Sequence, residues 1–371
     1  MAVEVVQVQL PKEIKPFLDA WWHVYKGDAH WVPPLRFERK EFFNPKKNPW
    51  FQRGKAAFFL ARRDGQPVGT ISAQLDPTVH EKDPDMGLFG FFEFKDDPEV
   101  SEALWKAASD WLREQGMRRA RGPFNLTINH ECGLLVDGFD GDPLVLMTYN
   151  GAYCASHYEK MGMTKAMDLY AYWLDAKKPV PATIQKLADR FTQRHPEVVI
   201  RPVNLKDFDN ELKALLTIYN DAWEDNWGAV RMGEEEMRKT VEGIKPMIDP
   251  RFCYFAEVNG EPAALSVTLP DYNQVVKPMN GSLLPFGWYH YLTRRSKVDR
   301  LRVLVLGVRR KFQHMPLGAP LYMRTWQAGL AAGVVGAEAS WILESNSRMR
   351  GALEKLGGEI YRTYRIYEKA L

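Results

Sequence analysis

The chain is 371 residues long, 45% hydrophobic and 26% charged, with a formal net charge of only +3. Two domains are the natural reading of that length, the composition is globular rather than disordered, and so small a charge gives no reason to expect nucleic acid as a partner. Three scattered cysteines (Cys132, Cys154 and Cys253) form neither a disulfide framework nor a metal clip, and no secretory signal or apolar run of spanning length is present, which points to a cytoplasmic protein without a metal.

The first distinctive stretch is residues 31–55. It holds seven Lys/Arg against two Glu, interleaved with Trp31, Phe37, Phe42, Phe43, Trp50 and Phe51. One reading is contact with an anionic bilayer, with rings at headgroup level and the protein peripheral on the inner membrane. The other is a proline-rich strap over the first domain with solvated charges. Strands are expected at 56–63 and 67–75, joined by Asp64-Gly65, a strong hairpin signal, and again at 87–94. Asp97-Pro98 then opens a helix as N-cap and first helical residue. Val100, Leu104, Ala108, Trp111 and Leu112 give it an apolar stripe, and Gly116 stops it.

Beyond Ala176-Lys-Lys-Pro-Val-Pro-Ala182, which reads as a linker, the plan returns. Helices are expected around 184–191 and 208–223, and a hairpin at Asn259-Gly260. Residues 301–308 are the most apolar strand of the chain, which suits a central buried position. A Gly-containing loop, a helix at about 317–332, a strand at 337–343, a helix at 347–356 and a last strand at 359–367 follow. The return is exact in register: Ala61/Ala256, Gly65/Gly260, Pro67/Pro262, Asp76/Asp271 and, near the end, Gly162/Gly357 all lie 195 residues apart. Such a repeat marks a duplicated unit. The expected architecture is α/β (α+β), with tandem domains at 1–178 and 179–371, each a central mixed sheet flanked by helices.

The order of hairpin, central strand, Gly loop opening a helix, then strand, helix and strand resembles the GNAT acyltransferase superfamily. The residues carrying the likeness lie in 308–319, where Val308, Phe312, Gln313 and Gly318 fall on the frame of the family's acyl-CoA signature. A helix N-terminus offers free N–H groups and partial positive charge to a pyrophosphate. The resemblance therefore places the donor on Leu306, Gly307, Val308, Arg309, Arg310, Gln313, His314, Gly318, Ala319 and Asn346, with acyl-CoA as cosubstrate and no permanent cofactor. Pro316 stands where the family has its first glycine and removes one N–H, which leaves room for acyl-ACP as the thioester. In the first half the equivalent junction reads Phe94-Lys-Asp-Asp-Pro98, whose carboxylates repel a pyrophosphate.

Tyr158-Glu-Lys-Met-Gly162 matches the family's Tyr-Glu-Lys-x-Gly, whose tyrosine often protonates the leaving thiolate; in the second half that tyrosine is Leu353. A proton donor there is sought among Tyr361, Tyr364 and His314, or the thiolate leaves unaided. An amine must be neutral to attack, so a general base is expected. Glu344 is the first candidate for it, with a helix cap or ion pair as its alternative role. Asn129, His130 and Glu131 lie in the polar run 122–133 and are expected to line a polar pocket between the domains, or else to belong to a loop held by its own hydrogen bonds. His80-Glu81 is a weaker pair of the same kind. The backbone near Gly307 or Val308 is the candidate oxyanion site.

Over nearly its whole length the chain is similar to a bacterial family of tandem GNAT-like proteins, through 90–97, 121–125, 133–139, 226–228 and 364–369. Some members carry the label dATP pyrophosphohydrolase, which finds no support: the Glu-rich Mg²⁺-binding helix of a Nudix box is missing, and Glu234-Glu-Glu236 reads as a solvated charge run. A subset of the family is similar to bacterial ceramide synthases. That resemblance implies an N-acyltransferase moving a long acyl chain to the amine of a lipid, a sphingoid base. Acetyl or aminoacyl transfer to a small soluble amine, and a non-catalytic acyl-CoA or lipid-binding role, stand beside it.

Overall fold

The computed structural model describes residues 2–371. The chain forms two compact units that interleave in sequence. The first holds 1–169, 276–292 and 362–371, and the second 170–275 and 293–361. The sequence repeat and the compact units thus partition the chain differently, because the last strand leaves the second unit at Tyr361 and finishes in the first.

In chain order the first unit begins with β1 (Glu4–Val8), α1 (Ile14–Val24), α2 (Arg36–Phe42) and α3 (Trp50–Arg53). Next come β2 (Lys55–Arg63), β3 (Gln66–Leu75), α4 (Pro77–His80), β4 (Met86–Phe94) and α5 (Pro98–Glu114), then β5 (Arg119–Gly122), β6 (Leu134–Asp137) and α6 (Cys154–Lys160). Strand β7 (Thr164–Asp175) carries the chain from the first unit into the second. There α7 (Ala182–Arg194), β8 (Val198–Pro202), α8 (Phe208–Trp223), α9 (Glu234–Ile244), β9 (Cys253–Val258) and β10 (Glu261–Pro270) follow. After α10 (Asn273–Val276) and α11 (Gly287–Arg294) come β11 (Arg300–Val308), α12 (Gly318–Ala331), β12 (Gly336–Leu343), α13 (Ser347–Lys355) and β13 (Glu359–Ala370).

The first unit's sheet runs β1-β2-β3-β4-β5 and closes on the C-terminal part of β13; only β4 and β5 pair in parallel. The second runs β8-β9-β10-β11-β12, with β11 and β12 the parallel pair. Both hairpins turn on two residues of positive φ, Asp64-Gly65 (54° and 77°) and Asn259-Gly260 (50° and 79°), as turns matched to strand twist demand.

Strand periodicity sorts the cores. Successive side chains of a strand point to opposite faces, so Phe58 and Leu60 pack under α1 with Phe17, Leu18 and Trp21. Ala57, Phe59 and Ala61 turn the other way, onto Leu104, Ala108 and Leu112 of α5. The second unit repeats this. Phe255 and Leu265 meet Ile218 of α8, while Ala256 and Ala264 meet Phe191 of α7 and Leu321 of α12. Each fully buried large apolar side chain contributes roughly 1.5–3 kcal/mol, so helix on both faces is what the pattern stabilises. Helix α5 begins as its sequence indicates: the Asp97 carboxylate accepts from the N–H of Glu99 and Val100, at 3.1 and 3.4 Å.

A buried ion pair ties β11 to β12. Arg302 Nε lies 3.6 Å from Glu338, both almost fully buried, and the Tyr361 hydroxyl donates to the same carboxylate. Arg302→Met is expected to cost about 3–5 kcal/mol, because it leaves Glu338 buried without its cation. Urea denaturation of parent and variant checks this, and an unchanged midpoint would contradict it.

The candidate acyl-transfer site

In each unit the parallel central pair parts before its strands end. The β11/β12 register stops at Val303↔Ala339, although the strands continue to Val308 and Leu343. The β4/β5 register stops at Leu88↔Arg121, and one further bond, Phe124 N–H to Phe89 O (2.7 Å), holds the chain before it diverges. Gly90 allows that approach: a Cβ there would lie 1.8 Å from the Phe124 carbonyl oxygen. Both central strands also carry an extra residue, between the Ser72↔Gly90 and Thr70↔Glu93 pairs of the first unit and between Val267↔Val305 and Thr268↔Val303 of the second.

The first unit's bulge sets up a polar cavity. Phe91 sits at φ 45°, an uncommon conformation for a non-glycine residue, and its N–H donates to Asn125 Oδ1 at 2.8 Å. Asn125 Nδ2 donates to Glu131 at 2.8 Å, and Arg39 pairs with the same carboxylate. Past the bulge, Glu93 lines a small polar cavity with Asn125, Glu131, Thr148, Tyr149 and Tyr158. The Tyr25 hydroxyl donates to Glu93 and contacts the Tyr149 carbonyl at 3.0 Å.

The carboxyl groups of this cavity are pulled apart. Burial, reinforced by the charge of Glu131, raises Glu93 to about 7 against the hydrogen bond from Tyr25. Glu131 is buried too, but the charge and hydrogen bond of Arg39, with the Asn125 amide, hold it below the ordinary value. Two carboxyls whose environments separate them are the signature of assigned acid–base roles. Tyr158 is fully buried against Phe89, Phe92 and Tyr367. Its hydroxyl has no hydrogen-bond partner, and burial raises its pKa well above the usual range, so it stays a protonated donor.

The other expected residues fall as follows. His130 keeps some accessible surface, yet the protein around its ring pushes it down to about 4, and its edge meets Phe42 at 5.1 Å between centroids. Glu131 lines the cavity of the first unit. His80 closes a local turn, its Nε2 3.0 Å from the Met86 carbonyl oxygen. Tyr364 lies fully buried in the first unit on β13, opposite Leu135. Tyr361 is engaged with Glu338.

In the second unit, Leu306, Gly307 and Val308 end β11, and Gly318 and Ala319 open α12. The cations between them are paired: Arg309 and Lys311 with Glu261, Arg310 with Asp221, Glu224 and Asp225. Gln313 is held by Arg348, which donates to its carbonyl at 2.9 Å. His314 is exposed. Asn346 caps α13 by accepting from Met349 N–H, and the Glu344 backbone carbonyl accepts from Arg350 at 3.0 Å. In the first unit, Asp96 and Asp97 occupy the loop equivalent to 309–317 and bond His157 and Arg63.

Glu93 went unrecognised in the sequence. The register finds it: Thr70 pairs with Glu93, and Leu265, its repeat partner 195 residues on, pairs with Gly307. The position of Glu93 is therefore glycine in the second unit, as that of Tyr158 is Leu353, a core residue there. Neither the carboxyl of Glu93 nor the hydroxyl of Tyr158 has a counterpart at the matching position of the second unit. The basic-aromatic run 31–55 is no surface strip either. Phe43 and Trp50 are fully buried, Trp31, Phe42 and Phe51 pack against that core, and Phe37 alone of its rings is largely exposed.

No family model matches the chain. Its paired units, each a mixed sheet whose central parallel strands part, have the fold of a tandem GNAT protein. The solved tandem GNAT protein from the clavulanic acid biosynthesis pathway superposes with a TM-score of 0.60 at 13% identity, over 99% of this chain and 98% of that one. Among curated proteins, a bacterial ceramide synthase from Caulobacter vibrioides (strain NA1000 / CB15N) is 40% identical over 380 aligned positions, covering 100% of this chain and 98% of its own. Protein YghO of Escherichia coli (strain K12) is 36% identical over 97% of this chain and 93% of its own. The chain belongs to the bacterial ceramide synthase family.

Proposed function

We propose that the protein is an N-acyltransferase that joins a long acyl chain, delivered as acyl-CoA or acyl-ACP, to the amine of a sphingoid base, with Glu93 and Tyr158 as its reacting pair. The observation that carries this is a carboxyl poised near neutrality in the same cavity as a buried, unpartnered tyrosine hydroxyl. The ceramide synthase relative supports the choice of acceptor.

The ammonium of the acceptor gives one proton to the Glu93 carboxylate, directly or through one water. The freed lone pair attacks the thioester carbonyl and forms the C–N bond. Collapse of the tetrahedral oxyanion breaks the C–S bond, and the thiolate takes its proton from Tyr158. The second nitrogen proton restores the tyrosine, and Glu93 returns its proton to solvent. The sum is amide, free thiol and one released proton. A base with a pKa near the working pH is the efficient one, and Glu93 meets that condition where Glu131 does not.

Purified protein incubated with short- and long-chain acyl thioesters, against a sphingoid base and small amines, tests the assignment by mass spectrometry. The expected product is the long-chain amide of the sphingoid base. An amide formed only with small amines would replace the acceptor, and no amide from any acceptor would end the enzyme reading.

The second unit supports a separate role, holding an acyl thioester apart from the reaction assigned to the first unit, at the opening between β11 and β12 where Gly318 and Ala319 begin α12. A side chain fits at Gly318, whose Cβ would meet only Leu306 at 3.9 Å. Gly318→Trp is therefore expected to fold normally and to weaken acyl-CoA binding by calorimetry at least about tenfold. Unchanged affinity would remove the donor from this loop.

A further inference from the structure

The repeat arithmetic exposes an insertion. The hairpins lie 195 residues apart, yet Glu93 and Gly307, which occupy the same register position, lie 214 apart. Nineteen extra residues therefore separate β10 from β11, where the first unit has only α4 and a short loop. The added stretch includes α10 and α11.

Its base, from Val276 on, is part of the first unit. Trp22 Nε1 donates to Asn280 Oδ1 at 2.9 Å, Arg36 N–H to the Gly281 carbonyl at 3.0 Å, and Lys277 Nζ to Asp142 at 2.6 Å. Its tip is unlike the rest of the surface. Leu284, Phe286, Trp288, Tyr289 and Leu292 are 52–75% exposed. With Leu283 they make up half of the twelve exposed large hydrophobic residues of the described chain. The backbone that presents them is ordered locally, with Trp288 N–H bonded to the Leu283 carbonyl at 3.0 Å and Trp288 Nε1 to that of Pro285 at 2.8 Å. Exposed Arg294, Arg295 and Lys297 follow directly, and no Asp or Glu occurs from Tyr272 to Val298.

We infer that this insertion is a membrane-docking element whose apolar tip enters the headgroup region of an anionic phospholipid bilayer while Arg294, Arg295 and Lys297 contact lipid phosphates. Contiguous apolar surface of this kind marks an interaction site. Aromatic and leucine side chains beside clustered cations are the composition of an interfacial helix, and each cation near an anionic surface adds to binding. The charge argues against a second copy of the chain as occupant: a self-pair would bring two sets of these cations together with no carboxylate in the segment to meet them. The inference is independent of the reaction assigned to Glu93.

Co-sedimentation of the full chain with vesicles of phosphatidylcholine alone, or of phosphatidylcholine with phosphatidylglycerol, tests it. The parent is expected to pellet with the anionic vesicles, less so in high salt, and weakly with the neutral ones. Leu284→Ser/Phe286→Ser/Trp288→Ser, shown folded by its melting curve, is expected to lose at least about tenfold in partitioning. Arg294→Glu/Arg295→Glu/Lys297→Glu leaves the apolar tip intact and is expected to lose roughly a hundredfold, about fivefold for each cation. A parent that pellets with neither vesicle overturns the inference, as does either variant binding like the parent. So does light scattering that shows a dimer abolished by the serine changes without any vesicle binding.

Discussion

Glu93→Gln is expected to lower kcat/KM for amide formation by about 10²–10⁴-fold, the range over which a positioned base acts. The amide keeps an acceptor for the Tyr25 hydroxyl, so the cavity survives while its base does not. With Glu93 at about 7, the parent rate should rise tenfold per pH unit up to that point and then level, and the residual rate of the variant should lack this limb. Stability moves the opposite way. Between 4.5, the ordinary value, and about 7 the folded protein holds a proton that the unfolded chain has lost. Stability of the parent therefore falls as pH rises through that window, by up to about 3 kcal/mol from this group. Glutamine removes the fall, so the variant should gain on the parent between pH 5 and pH 8 in thermal melts. Parental turnover in the variant would mean that another group takes the proton.

Tyr158→Phe is expected to cost about a hundredfold in turnover, with little change in substrate affinity, because the hydroxyl acts on the leaving thiolate after the acceptor is bound. Its effect on folding should be small or favourable. The hydroxyl is buried without a partner, and removing such a group recovers the cost of its desolvation. A fall in activity matched by a collapse of the melting temperature would make the residue structural instead. Combined with Glu93→Gln it should cost less than the product of the two, since both serve one reaction.

Much of the scaffold was legible because local chemistry wrote it. The Asp64-Gly65 and Asn259-Gly260 turns, the Asp97 cap of α5 and the apolar run of β11 each depend on neighbours in sequence. The repeat gave the duplication for the same reason. Tyr158 was found through its match to a family motif. Glu93 was not, because it is one polar residue in Gly90-Phe-Phe-Glu-Phe94, and only the bulge at Phe91 and the pairing Thr70↔Glu93 show which side of the strand it takes. The basic residues 309–311, read alone, suit either a phosphate or a solvated loop; folded, they meet Glu261, Asp221, Glu224 and Asp225, partners distant in sequence that no local pattern gives. The passage of β13 into the first unit is likewise a tertiary fact, which is why Tyr364 looked like a group of the second half.

The chemistry is expected to run in the first unit. Its most direct measurement is single-turnover amide formation at saturating long-chain thioester and sphingoid base, comparing the parent, Glu93→Gln and Gly318→Trp. A normal product burst is expected in the parent, almost none in Glu93→Gln, and a burst in Gly318→Trp once the donor saturates. A full burst from Glu93→Gln together with none from Gly318→Trp would place the reaction in the second unit and contradict it.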